Sequence, residues 1–370
     1  MAIAIRPYTE DRIPAVKAFN QRLTAGGIAP EFHFPESNVP HWLPKQEGRG
    51  IYQGYYLALE EDNVRGAFIL KFQDFMLGGE TLPIVYYHLP VSEGIVNKAY
   101  ASVGVTMLRS ALKMQPRLFA LGMGGFDRPL PTMLKAMGWS LSAVPFFFFV
   151  NHPAAFLRQI APLRQSLARR VLAGLAAATG AGWVGIKTLH RLRRKGTISN
   201  LNTEPIESFG PWADDLWKQI GSRYAMIADR RSETLNILYP SDKSFLPLQV
   251  LRGSEILGWA LLLDTQMQNN RYFGNLRVGT IADAFSAPEN AAAVVQEATR
   301  FLQQRGVDLV IANHSHQAWR NGFQNCGYLR GPSNFIFAAA KPLAEKLIPF
   351  ESKQHEVYFM RGDGDGPVNL

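Results

Sequence analysis

The chain has 370 residues, of which 47% are hydrophobic and 19% charged, with a formal net charge of +9. That length exceeds one ordinary core and fits two, and the composition excludes a disordered or membrane-spanning polypeptide. A single cysteine excludes an internal disulfide and a thiolate zinc site, and it fits a reducing, cytoplasmic setting.

The opening "MAIAIRPYTEDR" turns charged within a few residues and shows no apolar signal core. Beyond an initial helix, "YYLALEEDNVRGAFILKFQDFML" alternates apolar and polar residues around a turn at Glu61 to Asn63, which predicts a β-hairpin. A further strand, "ETLPIVYYHLPVS", leads into the helix "NKAYASVGVTMLRSALKM". The stretch "RLFALGMGGFDRPLPTMLKAMGWSLSAVPFFFFV" then reads as strand, helix ending in Gly-Trp, and last strand.

The connector that follows is basic. Between Asn151 and Thr203 there are nine Lys or Arg (Arg158, Arg164, Arg169, Arg170, Lys187, Arg191, Arg193, Arg194, Lys195) and no Asp or Glu, so the rest of the chain is neutral overall. Charge confined to one connector argues against a general nucleic-acid surface, which would lay a basic stripe over a folded domain. Inside it, Val171 to Ile186 is an uncharged run of 16 residues, shorter than the ~20 needed to cross a bilayer. Two readings stand. A pair of linker helices, bent at Gly174, Gly180, Gly182 and Gly185, docks on the domains; or residues 158–195 make peripheral contact with the inner face of an anionic membrane. The glycines weaken a free-standing helix and favour the docked form.

The second half repeats the first. "LPLQVLRGSEILGWALLLD" forms a hairpin with its turn at Gly253 to Glu255, "NLRVGTIADAFS" a strand, and "PENAAAVVQEATRFLQQRG" a helix. "VDLVIANHSHQAWRNGFQNCGYLRGPSNFIFAAA" closes the copy, and sliding Gly138 onto Gly327 aligns the two endings without a gap at an offset of 189 residues. The order defines an α/β fold in two domains, each a twisted mixed sheet flanked by helices. The division is 1–150, the connector 151–200, 201–345, and a C-terminal strand and tail at 346–370.

This order, with its helix ends Met137-Gly138-Trp139 and Cys326-Gly327-Tyr328, resembles the GNAT superfamily of acyl-CoA-dependent N-acyltransferases, present twice outside the connector and tail. The resemblance implies acetyl-CoA or another acyl-CoA as co-substrate, with no metal. Its pyrophosphate would sit on the free amides of a helix N-terminus, here Lys98, Ala101, Ser102, Val103, Gly104 and Val105, and Gly124 would let backbone approach the ligand. Only Gly104 matches the family's motif strictly. In the second copy, Glu289 in "SAPENAAAVV" opposes phosphate, so no coenzyme is expected there.

The family's base is a Glu or a strand-held water, which makes Glu93 and His88 the candidates in the first copy; Asp283 holds a similar place in the second. The family's Tyr acid, four residues before the Gly, is replaced by Leu134 and Phe323. His316 falls at the corner before the last helix, where an N-cap role leads and a general base comes second. A metal held by His314 and His316 has no third ligand at a supporting spacing. The stretch "FGPWADDLWKQIGSRYAMIADRRSETLNILYP" resembles the acceptor-side segment of tandem GNAT-like proteins found with cell-surface polysaccharide enzymes, and of Fem-type peptidyltransferases. Arg230 and Arg231 beside aromatics suit an anionic or sugar-bearing acceptor.

The resemblance therefore implies transfer of an acyl group, acetyl first, to a small-molecule amine, such as an amino sugar or cell-envelope precursor, without nucleic acid. One alternative is a Fem-like transferase that takes an aminoacyl group from charged tRNA. The other is a non-catalytic GNAT-like binding or scaffold protein. In the tail, Asp363 and Asp365 alternate with glycine, but a calcium loop needs further oxygen ligands.

Overall fold

Alternation along the strands decides which face of the first sheet each side chain covers. β1 (Ala4–Pro7) is followed by α1 (Ile13–Ala25), then by the long strands β2 (Tyr52–Glu60), β3 (Asn63–Leu77) and β4 (Glu80–Ser92). On β3, Ala67 and Ile69 join the core under α1, with Val16, Phe19 and Leu23; Phe68 and Leu70 point the other way. There they meet Met107, Leu108 and Ala111 of α2 (Val103–Met114) and Leu134 of α3 (Pro129–Ala136). Helices thus cover both faces, as the pattern predicts. β5 (Leu118–Met123) lies between α2 and α3 in the chain, and β6 (Ser140–Ala143) follows α3.

The computed structural model describes residues 3–161, 175–177, 179–241 and 244–364. It divides into two units, 1–142 with 336–350 and 143–335 with 351–370. In the first unit the strands run β1-β2-β3-β4-β5-β15-β6, where β15 is Phe335–Ala339 from the far end of the chain. The strand Phe146–Val150 (β7), which closes the first sequence repeat, belongs to the second sheet, where its Phe146–Val150 register runs antiparallel to β13 (Leu309–Asn313). The last strand of each repeat is thus housed in the other unit.

The second unit carries α4 (Pro153–Gln159), α5 (Ala181–Arg193), β8 (Leu201–Pro205), α6 (Pro211–Ile220), β9 (Met226–Ala228) and α7 (Ser232–Leu238). It continues through β10 (Leu246–Arg252), β11 (Glu255–Gln266), β12 (Arg277–Ser286), α8 (Ala291–Gln304), α9 (Gln317–Asn325) and β14 (Leu329–Gly331). Its sheet order is β14-β7-β13-β12-β11-β10-β8. Ala291, Val294, Val295, Ala298 and Leu302 of α8 are buried at helical spacing. No helix among the described residues is long and apolar enough to cross a membrane. Arg164, Arg169 and Arg170 of the basic connector and residues 171–174 and 178 of its uncharged run, Gly174 among them, lie outside the described residues, as does Asp365.

Candidate active site

Two features of β4 open the first sheet at one place. Its parallel pairing with β5 covers only Val85–Leu118 and Tyr86–Phe119, although both strands continue beyond. Against β3, Ala67 faces Val91 and Ile69 faces His88, so Leu89 and Pro90 bulge opposite a single residue. Leu89 sits at φ 43°, a left-handed conformation that a branched residue adopts only under constraint from its surroundings. His88, Leu89 and Pro90 are each half-buried. A bulge where two strands part turns backbone amides out of the ladder and toward whatever enters the gap.

The helix after this bulge starts next to it. Glu93, Gly94 and Ile95 make one turn of 3-10 helix capped by Ser92, whose hydroxyl accepts from Gly94 N–H at 3.1 Å. A Cβ on Gly94 would fall 2.5 Å from the Tyr100 carbonyl oxygen, so only glycine lets the loop entering α2 lie this close. The first α2 amide to bond back is Thr106 N–H, to Ser102 O at 3.0 Å, which leaves the preceding amides of the first turn facing outward. Lys98, Ala101 and Ser102 are exposed, Val103 is buried, and Gly104 and Val105 are half-buried, with no acidic residue in the first turn. Outward amides, small side chains, one lysine and no carboxylate fit a pyrophosphate. At the end of β5 and just past it, Gly122, Met123, Gly124 and Gly125 all have positive φ (90°, 69°, 76° and 135°), a left-handed turn in which Gly124 is exposed.

The catalytic candidates fare differently. Glu93 is 4% exposed and its carboxylate is held by Arg22 at 3.1 Å and Arg65 at 3.0 Å. Arg65 also pairs with Glu60 at 2.9 Å and lies over the Tyr100 ring at 4.2 Å. The network fastens the loop that presents the α2 amides to β3 and α1. His88, one residue before the bulge, stacks on Tyr86 with ring centroids 5.0 Å apart. Leu134 and Phe323, where the family's acid would stand, are fully buried apolar core.

His316 caps α9, its Nδ1 accepting from Ala318 N–H at 3.2 Å. Burial pushes its pKa down to about 4, which leaves a weak base at neutral pH. His314 Nδ1 accepts from His316 N–H at 3.1 Å, and its ring stacks on Trp319 at 5.0 Å; burial, His316 and Arg230 hold it well below the usual histidine range. Cys326, at the far end of α9, donates to Ala292 O at 3.4 Å, and burial pushes its thiol up to about 12. This corner is packed structure.

The second unit shows the same strand geometry with the gap filled. β12 and β13 pair from Val278–Leu309 to Thr280–Ile311 and then part, and Ala282 bulges between Ile281 and Asp283. Here residues 281–286 and 311–316 are all buried. The chain's own C-terminal segment occupies the gap. The Tyr358 hydroxyl donates to Ala284 O of β12; Ser315, just past β13, donates its N–H to Phe359 O at 3.1 Å and its hydroxyl to Val357 O at 2.5 Å. Arg230 fastens the segment, reaching Asp363 at 2.5 Å and Asp283 at 3.2 Å, while Tyr239 donates to Asp283 at 2.8 Å. Burial, opposed by Arg230, raises the Asp283 pKa to about 6.

Arg230 is thus 1% exposed and closed to any acceptor, which corrects its reading as half of an acceptor-binding pair; Arg231 pairs with Asp229 at 2.8 Å and keeps its side chain half exposed. The α8 N-terminus is covered as well: Gly322 of α9 packs against the backbone of Ala291 and Ala292, and Glu289 pairs with Arg223 at 2.8 Å. Sequence reasoning missed Arg22, Arg65 and Gly94, and it missed the tail as an occupant. For Gly94 a signal existed in its place at a strand-to-helix junction; the arginine pairings are too remote in sequence to read.

No family model matches the chain, and no curated protein matches it. Solved structures do. A conserved protein of unknown function from Enterococcus faecalis V583, described as a probable N-acyltransferase, superposes with a TM-score of 0.51 at 9% identity over 94% of this chain and 74% of that one. A GCN5-related N-acetyltransferase from Anabaena variabilis gives 0.52 at 9% identity over 92% and 73%. Saccharomyces cerevisiae N-myristoyltransferase, solved with bound myristoyl-CoA, gives 0.50 at 10% identity over 91% and 79%. At such identities the likeness is one of fold. The chain has the fold of the GNAT-type N-acetyltransferases and N-myristoyltransferases: two mixed sheets flanked by helices, matched over most of its length.

Proposed function

We propose that the protein is an acyl-CoA-dependent N-acyltransferase whose first unit binds the coenzyme and whose second unit does not. The observation that carries this reading is the contrast between two copies of one geometry: at the α2 entrance Lys98, Ala101 and Ser102 are exposed although Val103 is buried, whereas at the α8 entrance α9 packs on the backbone of Ala291 and Ala292 and residues 357–363 run between β12 and β13. In the first unit, the amides of Ser102 to Val105 and the ammonium of Lys98 hold the pyrophosphate. Gly124 and the positive-φ turn around it admit backbone-close contact on the β5 side.

The acyl-CoA supplies an activated thioester. The backbone N–H of Leu89, the one donor of the bulge since Pro90 has none, polarises the thioester carbonyl where β4 leaves its pairing with β5. The acceptor amine forms the new C–N bond as the C–S bond breaks, and the amine's proton needs a base. His88 at the bulge takes that role. Glu93, with both oxygens engaged by arginines, is a positioning residue that holds the amide loop. With Leu134 in place of an acid, the departing thiolate takes its proton from solvent. The acceptor is a small-molecule amine; amino sugars and cell-envelope precursors are the first acceptors to try, on the family resemblance.

Acetyl-CoA turnover with an amino-sugar and polyamine panel, read by thiol release, tests the reading. Amine-dependent release that falls about 100-fold or more in His88→Ala is the expected result. Amine-dependent release unchanged in His88→Ala removes the assigned base, and coenzyme binding without release for any amine leaves a binding protein. That second outcome has its own support in the missing acid at Leu134 and Phe323. Transfer from charged tRNA without coenzyme binding would establish the Fem-like alternative.

A further inference from the structure

One face of α5 is packed and the other is not. Gly182, Ile186 and His190 recur at four-residue spacing on the packed face. A Cβ on Gly182 would fall 2.2 Å from Leu157 Cδ1, and Ile186 joins the core of Val278 and Ile311. His190 Nε2 accepts from Val150 N–H at 3.2 Å, its Nδ1 donates to Gly327 O at 2.8 Å, and its ring stacks on Phe149 at 4.1 Å. Through this face α5 packs on the second unit.

The outward face carries Val184, Thr188 and Leu192 at the same spacing, with Leu189 beside them. Val184 is 57%, Leu189 39% and Leu192 79% exposed, and Trp183 at the first turn is 55% exposed. With Leu175, five of the eleven large apolar side chains exposed among the described residues lie within 18 positions. Lys187 and Arg191 border this strip on the helix, and Arg193, Arg194 and Lys195 follow it, with no carboxylate anywhere from 151 to 203.

From this arrangement we infer that α5 docks the protein on an anionic lipid surface, lying in the headgroup layer with Val184, Leu189 and Leu192 inserted and the cations on lipid phosphates. Charge complementarity selects this occupant. A second copy of the same face would bring like charges together, and a nucleic-acid backbone offers nothing to three exposed aliphatic side chains. The helix has 13 residues and lies on the surface rather than crossing.

Co-sedimentation of the full chain with phosphatidylcholine vesicles, with and without phosphatidylglycerol, tests this. Binding only to the phosphatidylglycerol vesicles is expected, reduced about tenfold or more by Val184→Ser with Leu192→Ser and likewise by Lys187→Gln with Arg191→Gln. All four side chains point away from the core, so circular dichroism and melting of the variants should match the parent. No sedimentation with anionic vesicles overturns the inference. So does binding that survives the two serine substitutions, equal binding to neutral vesicles, or a lipid-free dimer that the serine pair dissolves.

Discussion

Replacing Gly104 by glutamate separates the needs of the fold from those of the ligand. Gly104 is the second residue of α2, and a Cβ there meets Met133 Sδ at 3.6 Å and Ser92 Cβ at 4.0 Å, ordinary contact distances. The fold therefore accepts a side chain. Removing glycine from a helix gains up to about 1 kcal/mol, and a carboxylate in the first turn adds about 0.3–1 kcal/mol against the positive helix end. The same carboxylate about 6 Å from one charge of a bound pyrophosphate is repelled by about 3 kcal/mol at an effective dielectric of about 20, roughly a 100-fold loss of affinity. Thermal melting and calorimetry with coenzyme A read the two effects separately: Gly104→Glu should melt no lower than the parent and bind coenzyme at least ~100-fold more weakly. An unchanged affinity would show that the pyrophosphate does not rest on this helix.

Other consequences follow from the buried networks. Arg230→Met leaves Asp283 and Asp363 buried without their cation, so chemical denaturation should show a loss of about 3–5 kcal/mol at neutral pH. The loss should shrink near pH 5, where a carboxyl already raised to about 6 takes up a proton. Limited proteolysis of this variant should release the C-terminal segment first. His316 has its folded pKa depressed from 6.5 to about 4, so the native state binds fewer protons than the unfolded state in that window. Its stabilisation is full above pH 6.5 and declines by about 3 kcal/mol as pH falls to 4. The difference in stability between the parent and His316→Gln should track that slope; a pH-independent difference would refute it. Glu93→Gln weakens the hold of Arg22 and Arg65 on the amide loop and should raise KM for acyl-CoA more than it lowers kcat, whereas a loss in kcat alone would make Glu93 the base.

Much of the architecture was legible because it is local. The hairpins around Glu61 and Gly253 follow from alternation and turn residues, and β4 spans the residues read as "ETLPIVYYHLPVS". The glycine at 104 and the small residues before it marked the helix entrance. His316 as an N-cap was readable from its corner position. Strand partnership was not. Phe146–Val150 has the composition of a buried strand in either sheet, and nothing within five residues states which neighbour completes its hydrogen bonds. Ion-pair partners were equally hidden: Glu93 finds Arg22 across 71 positions, and Arg230 finds Asp363 across 133. Arg230 looked like part of an acceptor site because a sequence shows charge and not burial.

The central claim is that one of two related strand gaps, and only that one, presents open amides to a coenzyme. Titration calorimetry of coenzyme A into the full chain measures it directly. The account predicts a single equivalent bound, abolished by Gly104→Glu and retained in Glu289→Ala. Two equivalents, or no heat up to millimolar coenzyme, would contradict it.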